Sequence, residues 1–181
     1  MTYYGARDLA ASFRQVRGNT IQIADEIPED KYGFKAAPDC RSVGQTLVHL
    51  AVAPGIQLHI QRNRISDLQA VNFLELFQTL GAEEAKPRTK AEIIALLRSE
   101  GEQFASYLGG VTDAYLAESV TMPPGADPAT KTRFEMLLSP KEHEMHHRGQ
   151  LMLIERMLGI TPHLTRQMME RMAQRAAGAA R

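Results

Sequence analysis

Apolar residues recur every three or four positions along almost the whole chain, and that spacing restricts the fold more than any other feature. Leu9, Phe13, Val16, Ile23 and Ile27 share one helical face and mark a first helix over about 6–27. Pro28 and the segment through Pro38 end it. Ser42, followed three residues later by Gln45, is a capping box: each side chain satisfies a backbone N–H at a helix start. The helix it opens carries Leu47, Leu50 and Leu58, with His49 in its second turn. Pro54-Gly55 lies inside that pattern. A proline there removes a backbone hydrogen bond, so a kink is expected one turn past His49.

A shorter helix is expected over about 67–80, closed by Gly81. Thr89 and Glu92 form another capping box, opening a helix with Ile93, Leu97, Phe104 and Leu108 as its buried stripe and Gly109-Gly110 at its end. Pro123, Pro124, Gly125 and Pro128 make residues 121–130 a loop. A helix over about 131–158 follows, stopped by Gly159. Ser139-Pro140-Lys141-Glu142 also reads as a helix start, so this element is either one helix kinked at Pro140 or two in tandem. A last helix, about 162–177, begins after Thr161-Pro162; residues 174–181, rich in alanine, are expected to fray. Its Leu164, Met168, Met169 and Met172 read as core packing, with a dimer interface or a lid over the bundle end as the alternative. No strand pattern or repeat stands out. The expectation is an all-α chain: four long antiparallel helices in a bundle, with one or two extra short helices.

At 181 residues the chain suits a single domain, with a core over about 6–160 and the C-terminal helix added to it. Lys+Arg and Asp+Glu number 21 each, and no basic stripe is present, so no nucleic-acid partner is expected. No run of 18 apolar residues exists to span a membrane. Met1 to Arg7 lack the apolar centre of a signal peptide, and a lone cysteine cannot form an internal disulfide, so a cytoplasmic chain is expected. Cys40 itself reads as a small buried apolar residue, although its place before a helix start could favour a thiolate.

The segment with the most chemistry is His143-Glu144-Met145-His146-His147-Arg148-Gly149-Gln150. Histidines four apart on a helix have Cβ atoms roughly 5–6 Å apart on one face, close enough to share a metal ion. Gln150 and Ile154 continue that face toward the core. The plain alternative is a pair of solvated histidines on the helix surface. His49, on a separate core helix, could be a hydrogen-bonded core residue, and gains value as a ligand only in combination with the pair. His146 points roughly 60° away from His143 on the helix and should miss the same ion; His59 and His163 read as surface residues. The run is also a literal H-E-x-x-H, the zinc-protease motif of two ligands and a base. Its extended form fails here, because Gly149 is two residues past the second histidine and position 153 is leucine.

Ser42-Val43-Gly44-Gln45-Thr46-Leu47-Val48-His49-Leu50, together with His143-x-x-x-His147-Arg148-Gly149-Gln150, resembles the DinB/YfiT-like superfamily, with elements in the same order over roughly residues 6–160. The resemblance implies a four-helix bundle with an unusual connection, and one metal ion at one end of the bundle, bound by His49, His143 and His147, in a homodimer. It further implies close helix approach at Gly149 and a place near the site or in helix packing for Gln150. Relatives of this kind include metal-dependent thiol S-transferases and a thiol-dependent isomerase. Three neutral imidazoles leave a divalent ion (zinc or nickel first, iron as a third choice) its full charge, which can activate water or a small thiol. Glu144 is then a candidate base, against its plain reading as a solvated helix-surface glutamate. The expectation from another class is a non-catalytic, metal-stabilised dimeric binding or stress-related protein. A site open to a pocket of several hundred Å3 would favour the enzyme.

Overall fold

Caps set where the helices start. The computed structural model describes residues 4–179, and its first helix, α1 (Ala6–Glu26), opens where Asp8 Oδ2 accepts the Gly5 N–H at 2.9 Å. Ser42 and Gln45 make both bonds of the expected capping box, and α2 (Val43–Val52) follows. Pro54 breaks the ladder there: α2 ends at Val52 and α3 (Pro54–Arg62) begins with the proline at its first position. Ala53 between them keeps helical angles, so the chain bends without leaving the helix path. Next come α4 (Phe73–Glu84), the Thr89/Glu92-capped α5 (Lys90–Gly110) and the single-turn α6 (Asp113–Leu116). After a short ribbon, α7 (Arg133–Met157) opens on a further capping box, Thr132 with Glu135, and α8 (His163–Ala179) closes the described chain.

Four helical segments make the bundle. α1 packs on α5 and α7, and the bent α2–α3 pair packs on the same two helices. α4 lies outside against α2, and α8 outside against α1. Around the histidine end the core holds Ile23, Ile27, Leu47, Leu50, Leu97 and Leu151, each at most 1% exposed. A second cluster of Leu9, Phe13, Leu58, Phe104, Leu108 and Leu137 continues the core, with the Phe13 and Phe104 rings edge to face at 4.8 Å. Each such burial is worth roughly 1.5–3 kcal/mol, against about 1 kcal/mol for a cap. Packing therefore holds the bundle, and the caps fix its helix boundaries.

Of the two alternatives at Pro140, one continuous helix is found, with the proline inside α7. Several other expectations need correction. The loop expected over 121–130 holds between its ends, but a short ribbon flanks it: β1 (Ser119–Thr121) and β2 (Thr130–Thr132) pair antiparallel, Val120 opposite Lys131. Strands of three residues are too short to show an alternating pattern. Their ribbon is anchored by buried Arg133, whose Nε donates to Glu118 Oε2 at 2.8 Å and whose Nη1 donates to Gln61 Oε1 at 2.9 Å. Gly81 does not close α4, which starts at Phe73 and runs on to Glu84. The C-terminal helix does not fray from 174; it stays helical to Ala179, and residues 180 and 181 lie outside the described residues. Cys40 is exposed, not buried. His163 is the reverse, 1% exposed, with Nε2 facing Asn19 Oδ1 at 3.3 Å. Met168, Met169 and Met172 are all more than half exposed, so they are not core.

Candidate metal centre

α2 and α7 touch directly, and this contact sets His49 across from His143 and His147. One turn of α7 separates the latter two, whose ring centroids lie 4.7 Å apart. His49 is 4.9 Å from His143 and 5.1 Å from His147, centroid to centroid. Among the described residues, one ligand atom from each of the three can be chosen so that all lie within 4.8 Å of one another. The spacing argument and the distant His49 thus converge on one place.

The ring orientations are fixed from behind. Glu84 Oε1 sits 2.6 Å from His49 Nδ1; an ionised carboxylate only accepts, so Nδ1 carries the proton and Nε2 presents its lone pair. His147 Nδ1 likewise donates to Gln150 Oε1 at 2.7 Å, and Gln150 Nε2 donates on to His146 Nε2 at 3.2 Å. A ligand histidine tied through its other nitrogen to a carboxylate or amide oxygen is the usual arrangement at metal sites. His49 Nε2 and His143 Nε2 are 3.0 Å apart. Two lone pairs at that distance repel unless a proton or a cation stands between them. Nitrogens about 2.1 Å from a tetrahedral ion would sit roughly 3.4 Å apart, so the spacing fits a metal with small ring movements.

Electrostatics favours the ligand form as well. The His143 imidazolium is disfavoured down to about pH 4, first by burial and then by His49, His147, His146 and Arg41. Burial lowers His147 too, against the opposing hydrogen bond to Gln150. Neutral imidazoles are what a metal requires. His49 and His143 also line a cavity of about 480 Å3, whose wall includes Ala53, Ile56, Phe77, Leu80 and Pro140. The centre therefore has an approach for a small molecule.

Glu144 is not on the surface. It is 1% exposed, and both its oxygens are held by Arg17 Nε at 2.9 and 3.0 Å. With its glutamate so engaged, the H-E-x-x-H run has the protease's letters without its geometry. Gly149 is exposed, and a Cβ there would meet nothing within 4 Å, so the close helix approach expected at it is not found. His146 and His59 are exposed as expected. Glu84 and Arg41 were not foreseen. The sequence signal for Glu84 was masked by Gly81, which read as a helix end three residues too early.

Comparison with known proteins agrees with this architecture. The curated protein YjoA of Bacillus subtilis (strain 168), itself uncharacterized, is 22% identical over 156 residues, covering 86% of this chain and 92% of YjoA. The crystal structure of a DinB-like protein from Bacillus cereus ATCC 10987 superposes with a TM-score of 0.67 at 18% identity, covering 89% of this chain and 97% of that one. YfiT from Bacillus subtilis, described as a probable metal-dependent hydrolase with an unusual four-helix bundle topology, gives 0.66 at 14% identity, covering 89% and 91%. At such identities the likeness is one of fold. Residues 12–151 match the DinB superfamily, a stretch that includes His49, His143 and His147, and the chain belongs to that superfamily.

Proposed function

We propose that this chain is a metal-dependent enzyme that activates a small thiol or a water molecule at a centre formed by His49, His143 and His147. The observation that carries the reading is the convergence of the three imidazoles, two of them lining a cavity of about 480 Å3. A divalent ion held there would act as a Lewis acid that favours the deprotonated form of a water or thiol ligand. Zinc or nickel suits three imidazoles best, with iron a further choice. Glu84 holds the His49 ring and keeps its proton on Nδ1, while Gln150 does the same for His147. The water mode is supported by the description of YfiT as a probable hydrolase. The thiol mode is supported by the resemblance of the two histidine segments to a superfamily whose members include thiol S-transferases and a thiol-dependent isomerase.

The open cavity favours catalysis over a purely stabilising ion, which would be enclosed by four protein ligands. No described helix is long and apolar enough to cross a membrane. The proposed setting is the cytoplasm, where small thiols stay reduced. The proposed working form is a homodimer, supported by the exposed apolar side chains of Leu153, Met157, Met168, Met169 and Met172 on α7 and α8.

Elemental analysis of untagged protein, beside a His147→Ala variant, tests the centre. Near-stoichiometric metal in the wild type, falling sharply in the variant, is the expected result and justifies hydrolase and thiol-transfer assays with that metal. Wild type that is metal-free and takes up neither zinc nor nickel on titration overturns the reading.

A further inference from the structure

The cavity beside the histidines carries one guanidinium. Arg41 stands immediately before the Ser42 cap of α2, its side chain 47% exposed, and lines the same cavity as His49 and His143. Its Nη2 is 3.8 Å from Glu84 Oε2, too far for a hydrogen bond. Glu84 turns its other oxygen to His49 at 2.6 Å. Among the described residues Arg41 makes no hydrogen bond, so its five donors remain for another acceptor.

The remaining wall is mostly apolar, with Ile56, Phe77, Leu80 and Pro140 the larger members. One carboxylate and one guanidinium balance there, which leaves the charge of any divalent ion at the histidines uncompensated. A cationic ligand would be repelled from both ends of such a cavity. An uncharged apolar one would desolvate Arg41 without replacing its water. A planar anionic group matches the guanidinium fork bidentately while its apolar body covers the wall. The volume, about 480 Å3, suits a small molecule rather than a chain segment.

We propose that the substrate of this site is a small molecule with an apolar body and a carboxylate or similar anionic terminus, and that Arg41 is the residue that binds that terminus. The inference rests on the metal-dependent reading of the same cavity, but Arg41 belongs to the chain whether or not an ion is bound.

Isothermal titration with phenylacetate, and with phenylacetamide as its uncharged counterpart, tests the proposal on zinc-loaded and metal-free full-length protein. The expected result is phenylacetate binding that Arg41→Gln weakens tenfold or more in both forms, with Arg41→Lys intermediate. Phenylacetamide should bind more weakly and be indifferent to the substitution. Arg41 is half-exposed, and an unchanged melting temperature will show that the variants are folded. Phenylacetate binding that is equal in wild type and Arg41→Gln, or that is absent from both forms of the wild type, overturns the proposal. Failure to load zinc overturns the metal centre instead, and the metal-free titrations still decide the role of Arg41.

Discussion

Arg17 and Glu144 face each other inside the bundle as an ion pair at 2.9 Å, their side chains 4% and 2% exposed. The same guanidinium donates from Nη2 to Leu50 O at 2.7 Å and from Nη1 to Leu97 O at 2.9 Å. One side chain of α1 thus ties α2 beside His49, α5 at Leu97, and α7 beside His143. α5 makes room with Gly101, where a Cβ would stand 2.8 Å from Arg17 Cγ. Mid-helix glycine costs roughly 1 kcal/mol against alanine, a cost accepted here for the arginine.

A buried pair of this kind is asymmetric in its response to mutation. Arg17→Met alone leaves the Glu144 carboxylate buried and unpaired, and should destabilise the metal-free protein by about 3–5 kcal/mol. The double substitution Arg17→Met with Glu144→Leu removes both charges and should recover most of that loss. Urea denaturation of the three proteins measures it. A single variant within about 1 kcal/mol of wild type would contradict the assignment of the pair as fully desolvated.

Glu84 acts on the centre through His49. Glu84→Gln should weaken metal binding about 10–100-fold while leaving the melting temperature of the metal-free protein nearly unchanged. Competition against a chromophoric chelator reads the first and calorimetry the second. Undiminished affinity would mean that the His49 ring is held by packing alone.

The pair His143 and His147 was legible in the sequence because a four-residue interval on a helix is a geometric statement, whereas His49, which on its apolar stripe reads alone as core, was singled out by the resemblance of its segment to the superfamily. The capped helices were legible for a similar reason, since Ser42/Gln45 and Thr89/Glu92 are local chemistry. What was not legible is long-range. Nothing local to Arg17 announces that Glu144 lies across the bundle 127 positions later, or that Gly101 clears the space between helices. Glu144 therefore read as a surface residue. His163 and Cys40 were misplaced for the same reason: one opens α8 and the other lies just before the Ser42 cap of α2, outside any periodic stripe, where burial is decided by what packs over the residue. The exposed methionines of α8 fit a helical period, yet periodicity alone cannot say whether the apolar face meets the bundle or turns away from it.

That outward face carries the dimer prediction. If α7 and α8 supply the contact, Met169→Glu combined with Met172→Glu should shift the protein from dimer to monomer in sedimentation equilibrium, with helicity retained because both positions are more than half exposed. A wild-type chain that sediments as a monomer at tens of micromolar removes the proposal. A dimer untouched by the two charges moves the interface to another face.

Glu155 gives a stability prediction of definite sign. Its carboxyl is fully buried on α7, both oxygens without a hydrogen-bond partner among the described residues, within electrostatic reach of Glu26 of α1 and Arg166 of α8. Burial pushes its pKa up to about 7, and Glu26 pushes the same way, against the opposing charges of Arg166 and Arg156. Between the ordinary value of 4.5 and about 7 the folded protein holds a proton that the unfolded chain has released. Stability contributed by this group is therefore complete below about pH 4.5 and is lost as pH rises through 7. The full swing is roughly 3 kcal/mol. Glu155→Gln keeps the shape of the protonated acid and cannot ionise. Metal-free Glu155→Gln should match wild type near pH 5, exceed it at pH 8, and show a flatter stability profile between them. Parallel profiles for the two proteins from pH 5 to 8 would show that Glu155 is ionised in the fold, with water satisfying its oxygens.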